Sequence, residues 1–211
     1  ALKHEMLGDH GAYSKFGDLL LTKPIQFCAT GYDIPNFWGH GGITFTNHAY
    51  GAAMRAYGSP QGHFFGETIV DEMAAQLKMD PFEFRYKNLY NENSTTTTGN
   101  KPDVLVLTDL MDKVRPNYEL ARKNQKEFDN SGDWRRGVGV SLSIYCCGDD
   151  SMDTSSAAAE LMPDGKVKIY STWEDHGQGS DMGALGTSHE ALRELGLTPD
   201  VIILVSNDTA K

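Results

Sequence analysis

Apolar residues change their spacing once along the chain, near residues 130–136, and that change limits the architectures open to it. Before it, Phe65, Ile69, Met73 and Leu77 recur every four residues, the repeat of a helix with one apolar face, while Glu67, Asp71 and Gln76 fall between them, placed to face water. After it, Val138, Val140, Leu142 and Ile144 alternate, the repeat of a strand buried on one side. Helices first and strands after predict an α+β fold with mixed or antiparallel sheets and packed helices. The boundary predicts two subdomains, residues 1–132, rich in helix, and 133–211, a β-hairpin followed by a helix.

Local signals fill in this frame. Ser59 suits an N-cap with Pro60 at the first helical position, and Asp80, Pro81 and Glu83 repeat the pattern with a capping-box-like start. A third helical region spans 108–128, interrupted by Pro116, with its Lys, Arg and Glu residues on a solvated face. The runs "DLLL" and "PIQF" within residues 1–50 read as strands and irregular loops, and the threonine-rich 91–103 as an exposed loop. Beyond the boundary, a hairpin turns at Pro163-Asp164-Gly165 into the alternating Val167 and Ile169. A helix through Ala184, Leu185, His189, Ala191, Leu192 and Leu195 ends at Gly196, and Val201–Val205 form a buried strand whose partners are expected beyond the chain.

A net charge of −10 gives no surface-wide positive field, which argues against nucleic acid and anionic membranes as partners. Three cysteines without a CxxC pair disfavour disulfide scaffolds, zinc ribbons and iron–sulfur clusters in this chain and favour a reducing, cytoplasmic setting. No apolar run has membrane-spanning length, and the start "ALKHEML" lacks an initiator Met and the plan of a signal peptide, so the sequence reads as cut from a longer one.

Two loops carry the chemistry. "HGQGSDMG" (176–183) sets glycines before a helix, where free amides and the helix dipole suit a phosphate. Its bland alternative is a plain strand-to-helix connection. "MRAYGSPQG" (54–62) places Arg55, the ring of Tyr57 and free amides at a helix mouth; here the alternative is a surface ion pair for Arg55 and a core role for Tyr57. Rival motifs fail on spacing. Gly177 and Gly179 are followed by Gly183, one position late for a dinucleotide fingerprint, and the preceding strand reads as part of a hairpin rather than a βαβ unit. No G-x-S-x-G elbow accompanies "GHGG" (39–42), and Gly8 stands where H-E-x-x-H needs its second histidine. Cys146 and Cys147 on a strand would point to opposite faces, and "GDDSMD" (148–153) lacks calcium-loop spacing.

Taken in order, "YDIPN" (32–36), "TNHAYGAAMRAYGSPQ" (46–61), "DPFEFRYKNLY" (80–90), "RRGVGVSLS" (135–143), "HGQGSDMG" and "VSNDTA" (205–210) resemble the molybdenum-binding portion of the xanthine oxidase/aldehyde oxidase family, most nearly its bacterial aldehyde oxidoreductases. The resemblance implies a fragment of a larger molybdenum-binding region that uses molybdopterin, as a cytosine dinucleotide, with molybdenum held by the pterin rather than by protein ligands. Ala53, Met54 and Arg55 would face the metal's oxygen ligands, with Arg55 and Tyr57 lining the substrate pocket. Gln61, His176, Gly177, Gln178, Gly179, Ser180 and Thr209 would hold the cofactor, so the two loops would share one ligand.

The implied reaction is oxidation of a small aldehyde to a carboxylic acid with oxygen from water, electrons passing to 2Fe–2S clusters outside this chain and on to an acceptor protein. The general-base glutamate and the remaining domains of the parent, for which the family suggests a homodimer, also lie outside. A non-catalytic phosphate- or nucleotide-binding module is the alternative.

Overall fold

The computed structural model describes residues 1–13, 17–102, 105–128, 131–145 and 156–206. Thr209 and the remainder of 207–211, the Cys146–Cys147 pair and the acidic run 148–153 lie outside them. The chain forms two compact units, Ala1–Cys146 and Cys147–Lys211.

In the first unit, β1 (Leu2–Asp9) and β2 (Phe37–Thr44) pair in parallel, from Leu2 opposite Phe37 to Asp9 opposite Thr44, with helix α1 (Gly17–Phe27) crossing between them. "DLLL" and "PIQF" are therefore one helix, not strands. Helix α2 (Ser59–Gln76) packs against α1, which contains Pro24. Gly58, Gly62 and Gly66 stand one turn apart and admit the α1 backbone: a Cβ on Gly58 would lie 2.8 Å from the Leu20 carbonyl oxygen, one on Gly62 2.5 Å from that of Pro24, and one on Gly66 would collide with that of Cys28. The Leu20 carbonyl is the one that Pro24 cannot bond.

This contact inverts the expected face of α2. Its buried residues are Ser59, Gly62, Gly66, Glu67 and Ala74, while Phe65, Ile69, Met73 and Leu77 are 36–58% exposed. Close helix approach selects small residues rather than apolar bulk.

Helix α3 (Pro81–Lys87) starts as expected, the Asp80 carboxylate accepting from the amides of Phe82 (2.8 Å) and Glu83 (3.4 Å). Helix α4 (Leu107–Lys126) runs through Pro116 instead of breaking there. Pro116 and Asp112, whose carbonyl loses its partner, are both exposed, so the missing bond falls on the wet side. The core gathers Tyr32, Phe82, Leu89, Tyr90, Leu107, Met111, Tyr118 and Leu142. In the loop after α3, Ser94 is buried and the Thr97 hydroxyl donates to the Gln26 carbonyl at 2.8 Å, so 91–102 is docked more closely than its composition suggests.

Residues 138–144 keep the predicted alternation of burial, yet join no strand ladder among the described residues. Val138, Val140 and Ile144 pack on the core around Leu142, whose amide donates to the buried Glu67 carboxylate at 3.0 Å. A side chain takes the place of a neighbouring strand.

In the second unit, β3 (Ala158–Leu161) and β4 (Val167–Ser171) form the expected antiparallel hairpin, with Gly165 at φ +83° in its turn. β4 also pairs in parallel with β5 (Ile202–Ser206) through helix α5 (Ser180–Ala191). Two expectations change here: the partner of the last strand is β4 itself, and β4 belongs to a βαβ unit as well as to the hairpin, because a central strand uses both edges. The helix closes in a short 3-10 turn, Arg193–Leu195, before Gly196 at φ +67°.

Candidate functional site

Because β1 and β2 are parallel, both end on the same side, the usual place for a ligand in such sheets. Four backbone bonds zip their exits together: His10 N–H to the Thr44 carbonyl, Thr46 to Gly11, Ala12 to His48, and Gly51 to His10, all at 3.0–3.2 Å. Asp9 reinforces them. Its carboxylate accepts from the Gly11 amide (2.9 Å) and the Thr46 hydroxyl (2.7 Å) and lies 2.5 Å from His48 Nδ1. These contacts, the Gly11 amide foremost, hold its carboxyl down at about 2.

From this corner the chain passes through exposed Ala53, Met54 and Arg55 into a tight turn, closed by Tyr57 N–H to the Met54 carbonyl (2.8 Å) and Ser59 N–H to the Ala56 carbonyl (2.9 Å). Ala56, Tyr57 and Gly58 all take left-handed φ, +77°, +52° and +92°. For the two residues carrying a Cβ this conformation costs of order 1–3 kcal/mol each, and such strain gathers at ligand-holding positions. Gly58, not Ser59, caps α2, and no side chain among the described residues shares the cap; Ser59 is the buried first helical residue and Pro60 follows. The turn thus brings Ala53, Met54 and Arg55 to the same end of α2 as exposed Gln61, with Tyr57 half-buried behind them.

In the second unit, Gly177 and Gly179 have φ of +98° and +82°, and Gly179 is the N-cap of α5. The amides here already hold a carboxylate: Asp175 accepts from Gly177 (2.7 Å), Gly179 (3.4 Å) and Asp181 (3.3 Å), and these bonds, Gly177's first, draw its carboxyl below the usual range. Gln178 folds over the loop, accepting from the His176 amide at 2.6 Å and donating to the Glu174 carbonyl at 2.7 Å. The His176 ring lies 3.2 Å from the Glu174 carboxylate. The Ser180 hydroxyl oxygen is buried with no hydrogen-bond partner among the described residues.

Sequence reading missed Asp9 and Asp175. An Asp two residues before a glycine, as in "DHG" and "DHG" again at 9–11, is the available signal, since a short carboxylate reaches the amide two residues on. Among the described residues no three His, Cys, Asp or Glu side chains gather as a metal site. The donors at both loops are amides, a guanidinium, a carboxamide and a hydroxyl, a set that suits an anionic organic group rather than a bare metal ion.

Residues 1–89 and residues 113–211 match two family descriptions, each of a molybdopterin cofactor-binding domain. The chain is 46% identical over all 211 residues to an aldehyde oxidoreductase of Megalodesulfovibrio gigas, of which it spans 23%. The crystal structure of the aldehyde oxidoreductase from Desulfovibrio desulfuricans superposes with a TM-score of 0.90 at 51% identity, covering 96% of this chain and 22% of that one. Quinoline 2-oxidoreductase from Pseudomonas putida shares the fold, with a TM-score of 0.76 at 21% identity over 95% of this chain and 27% of that one. The two relatives above 40% identity are both aldehyde oxidoreductases, which leaves a non-catalytic phosphate-binding module without support.

Proposed function

Since the chain belongs to the molybdenum-binding part of the xanthine oxidase/aldehyde oxidase family, we propose that it holds molybdopterin in a longer protein that oxidises aldehydes to carboxylic acids with water as the oxygen source. The strained turn at Ala56 and Tyr57 carries the reading: it keeps the Ala53–Arg55 segment exposed at an end of α2 that no side chain caps. The donor set fits the group. Amides and the Arg55 guanidinium suit oxygen ligands and phosphates, and the buried Ser180 hydroxyl, unpartnered among the described residues, has a donor to spare.

In this reading Ala53, Met54, Arg55, Gln61, His176, Gly177, Gln178, Gly179, Ser180 and Thr209 hold the cofactor, and Tyr57 with Arg55 shapes the substrate pocket. The amides now occupied by Asp175 would pass to a phosphate, with the carboxylate moving aside. When bound, molybdopterin with molybdenum supplies the two-electron redox centre. This chain's residues orient the cofactor and the aldehyde, while the general base comes from another part of the protein.

The cytosine dinucleotide form, 2Fe–2S clusters elsewhere in the protein, an electron-acceptor protein, a homodimeric parent and a cytoplasmic setting complete the proposal. Among the described residues no helix is long and apolar enough to cross a membrane. Molybdenum analysis of the full-length protein together with aldehyde-dependent dye reduction tests it. Metal, pterin and aldehyde-dependent reduction are expected; a metal-free protein inactive towards aldehydes would overturn it.

A further inference from the structure

The corner at the ends of β1 and β2 is closed by more than backbone. Asp9 is the side chain that ties one exit, at Gly11, to the other, at Thr46 and His48. The 45–51 strap lies directly on the chain beneath it: a Cβ on Gly11 would run into the Ala49 carbonyl, and one on Gly51 would touch the His10 ring at 3.6 Å. Under the strap, His10 is buried, and neither ring nitrogen has a hydrogen-bond partner among the described residues. Closing the strap therefore removes two polar nitrogens from water with no bond in return, which favours opening. The charged acceptor at Asp9 supplies the opposing bonds.

We propose that Asp9 is a positioning residue for the cofactor-facing segment Ala53–Arg55, a latch that holds the 45–51 strap closed over His10. The segment begins two residues after Gly51, the last residue bonded into the corner, so the corner fixes its leading end while the turn at Ala56–Gly58 fixes the other. What the segment faces rests on the proposed function; the latch does not. With its carboxyl held at about 2, Asp9 remains an ionised acceptor through the neutral range.

The test uses the full-length protein as wild type, Asp9→Asn, His48→Ala and His48→Asn, the last because its side-chain amide donates from near the position of the ring Nδ1–H. Hydrogen exchange of amides 45–55, tryptic cleavage after the exposed Arg55, and molybdenum content are read together. Asp9→Asn and His48→Ala are expected to speed exchange about tenfold in the strap, hasten the cleavage and lower molybdenum by about half, with His48→Asn close to wild type. The melting temperature should barely move, because the Asp9 and His48 side chains are 42% and 77% exposed.

Unchanged strap exchange in Asp9→Asn would overturn the latch, and so would a melting temperature that fell in step with it. Faster exchange with full molybdenum content would overturn the positioning role. A wild-type protein without molybdenum would instead reject the proposed function, and strap exchange would still decide the latch.

Discussion

The guanidinium of Arg85 meets the carboxylate of Glu67 inside the first unit, Nε to Oε2 at 2.9 Å, with the two side chains 1% and 8% exposed. Tyr32 donates to the other Glu67 oxygen at 2.7 Å, the Leu142 amide to Oε2 at 3.0 Å, and Arg85 reaches Asp71 at 2.7 Å and the Pro81 carbonyl at 3.2 Å. One carboxylate thus joins α2, α3, the Tyr32 loop and the extended 138–144 segment. Burial and the Glu67 charge together push the Tyr32 hydroxyl well above its ordinary range, burial first, so it stays a donor.

Arg85→Ala strands the Glu67 carboxylate in the core, and Glu67→Ala leaves the buried guanidinium with only the exposed Asp71 as a carboxylate partner among the described residues. Glu67→Ala or Arg85→Ala should destabilise the first unit by about 3–5 kcal/mol, as broken buried pairs do. Thermal unfolding and hydrogen exchange of the full-length protein check this, with 138–144 losing protection first in Glu67→Ala because the Leu142 amide loses its acceptor. Equal protection there in the variant and the wild type would show that the segment is held by its apolar side chains alone.

The glycines of α2 make a graded prediction. Gly66→Ala should be strongly destabilising, because its Cβ would strike the Cys28 carbonyl, a backbone atom that cannot turn away, and Gly62→Ala, 2.5 Å from the Pro24 carbonyl, somewhat less so. Gly186→Ala in α5 meets nothing within 4 Å and removes a mid-helix glycine, so it should stabilise the second unit by about 0.5–1 kcal/mol. Melting temperatures of the three variants, in the order Gly66→Ala lowest and Gly186→Ala highest, are the measurement.

These residues also show what the sequence could convey. The α3 cap, the hairpin and the α5 helix were legible because their causes are local: Asp80 reaches its own helix, and Gly165 its own turn. The face of α2 was not, because its burial is decided by α1, more than thirty residues upstream, and an apolar repeat does not reveal that a glycine stripe has been claimed first. The 138–144 alternation told truly which residues are inside, but not that the backbone partner is a carboxylate 75 positions away. At the site, Arg55 and the glycine loop announce themselves by type. Asp9 and Asp175 do not, since each acts through backbone amides that every residue owns.

Asp175 ties stability to pH in a definite direction. Its folded carboxyl lies below its unfolded value of about 3.9, so its bonds to Gly177, Gly179 and Asp181 stabilise the loop above that value and are lost as pH falls through the lower folded one. Asp175→Asn should therefore speed hydrogen exchange at those three amides near neutrality, with the difference from wild type shrinking below about pH 4. A difference that persisted undiminished in acid would mean that the loop is held by geometry rather than by the charge.

Gln178 separates two ways of holding the same loop. Its carboxamide accepts from the His176 amide and donates to the Glu174 carbonyl, so it both shapes the loop and presents a neutral donor beside Asp175. Gln178→Ala removes both bonds, each worth about 0.5–1.5 kcal/mol, and should lower the molybdenum content of the full-length protein. Gln178→Glu keeps the acceptor, loses the donor and adds a third negative charge next to Glu174 and Asp175; these carboxylates are exposed, so their mutual repulsion is screened and weak, whereas a phosphate seated on the loop is repelled directly. If the loop holds an anionic cofactor, Glu is the more damaging replacement and its molybdenum content falls below that of Ala. If Gln178 only shapes the loop, Glu retains one of two bonds and does better than Ala. Metal-to-protein ratios of the two variants, purified side by side, decide between these orders.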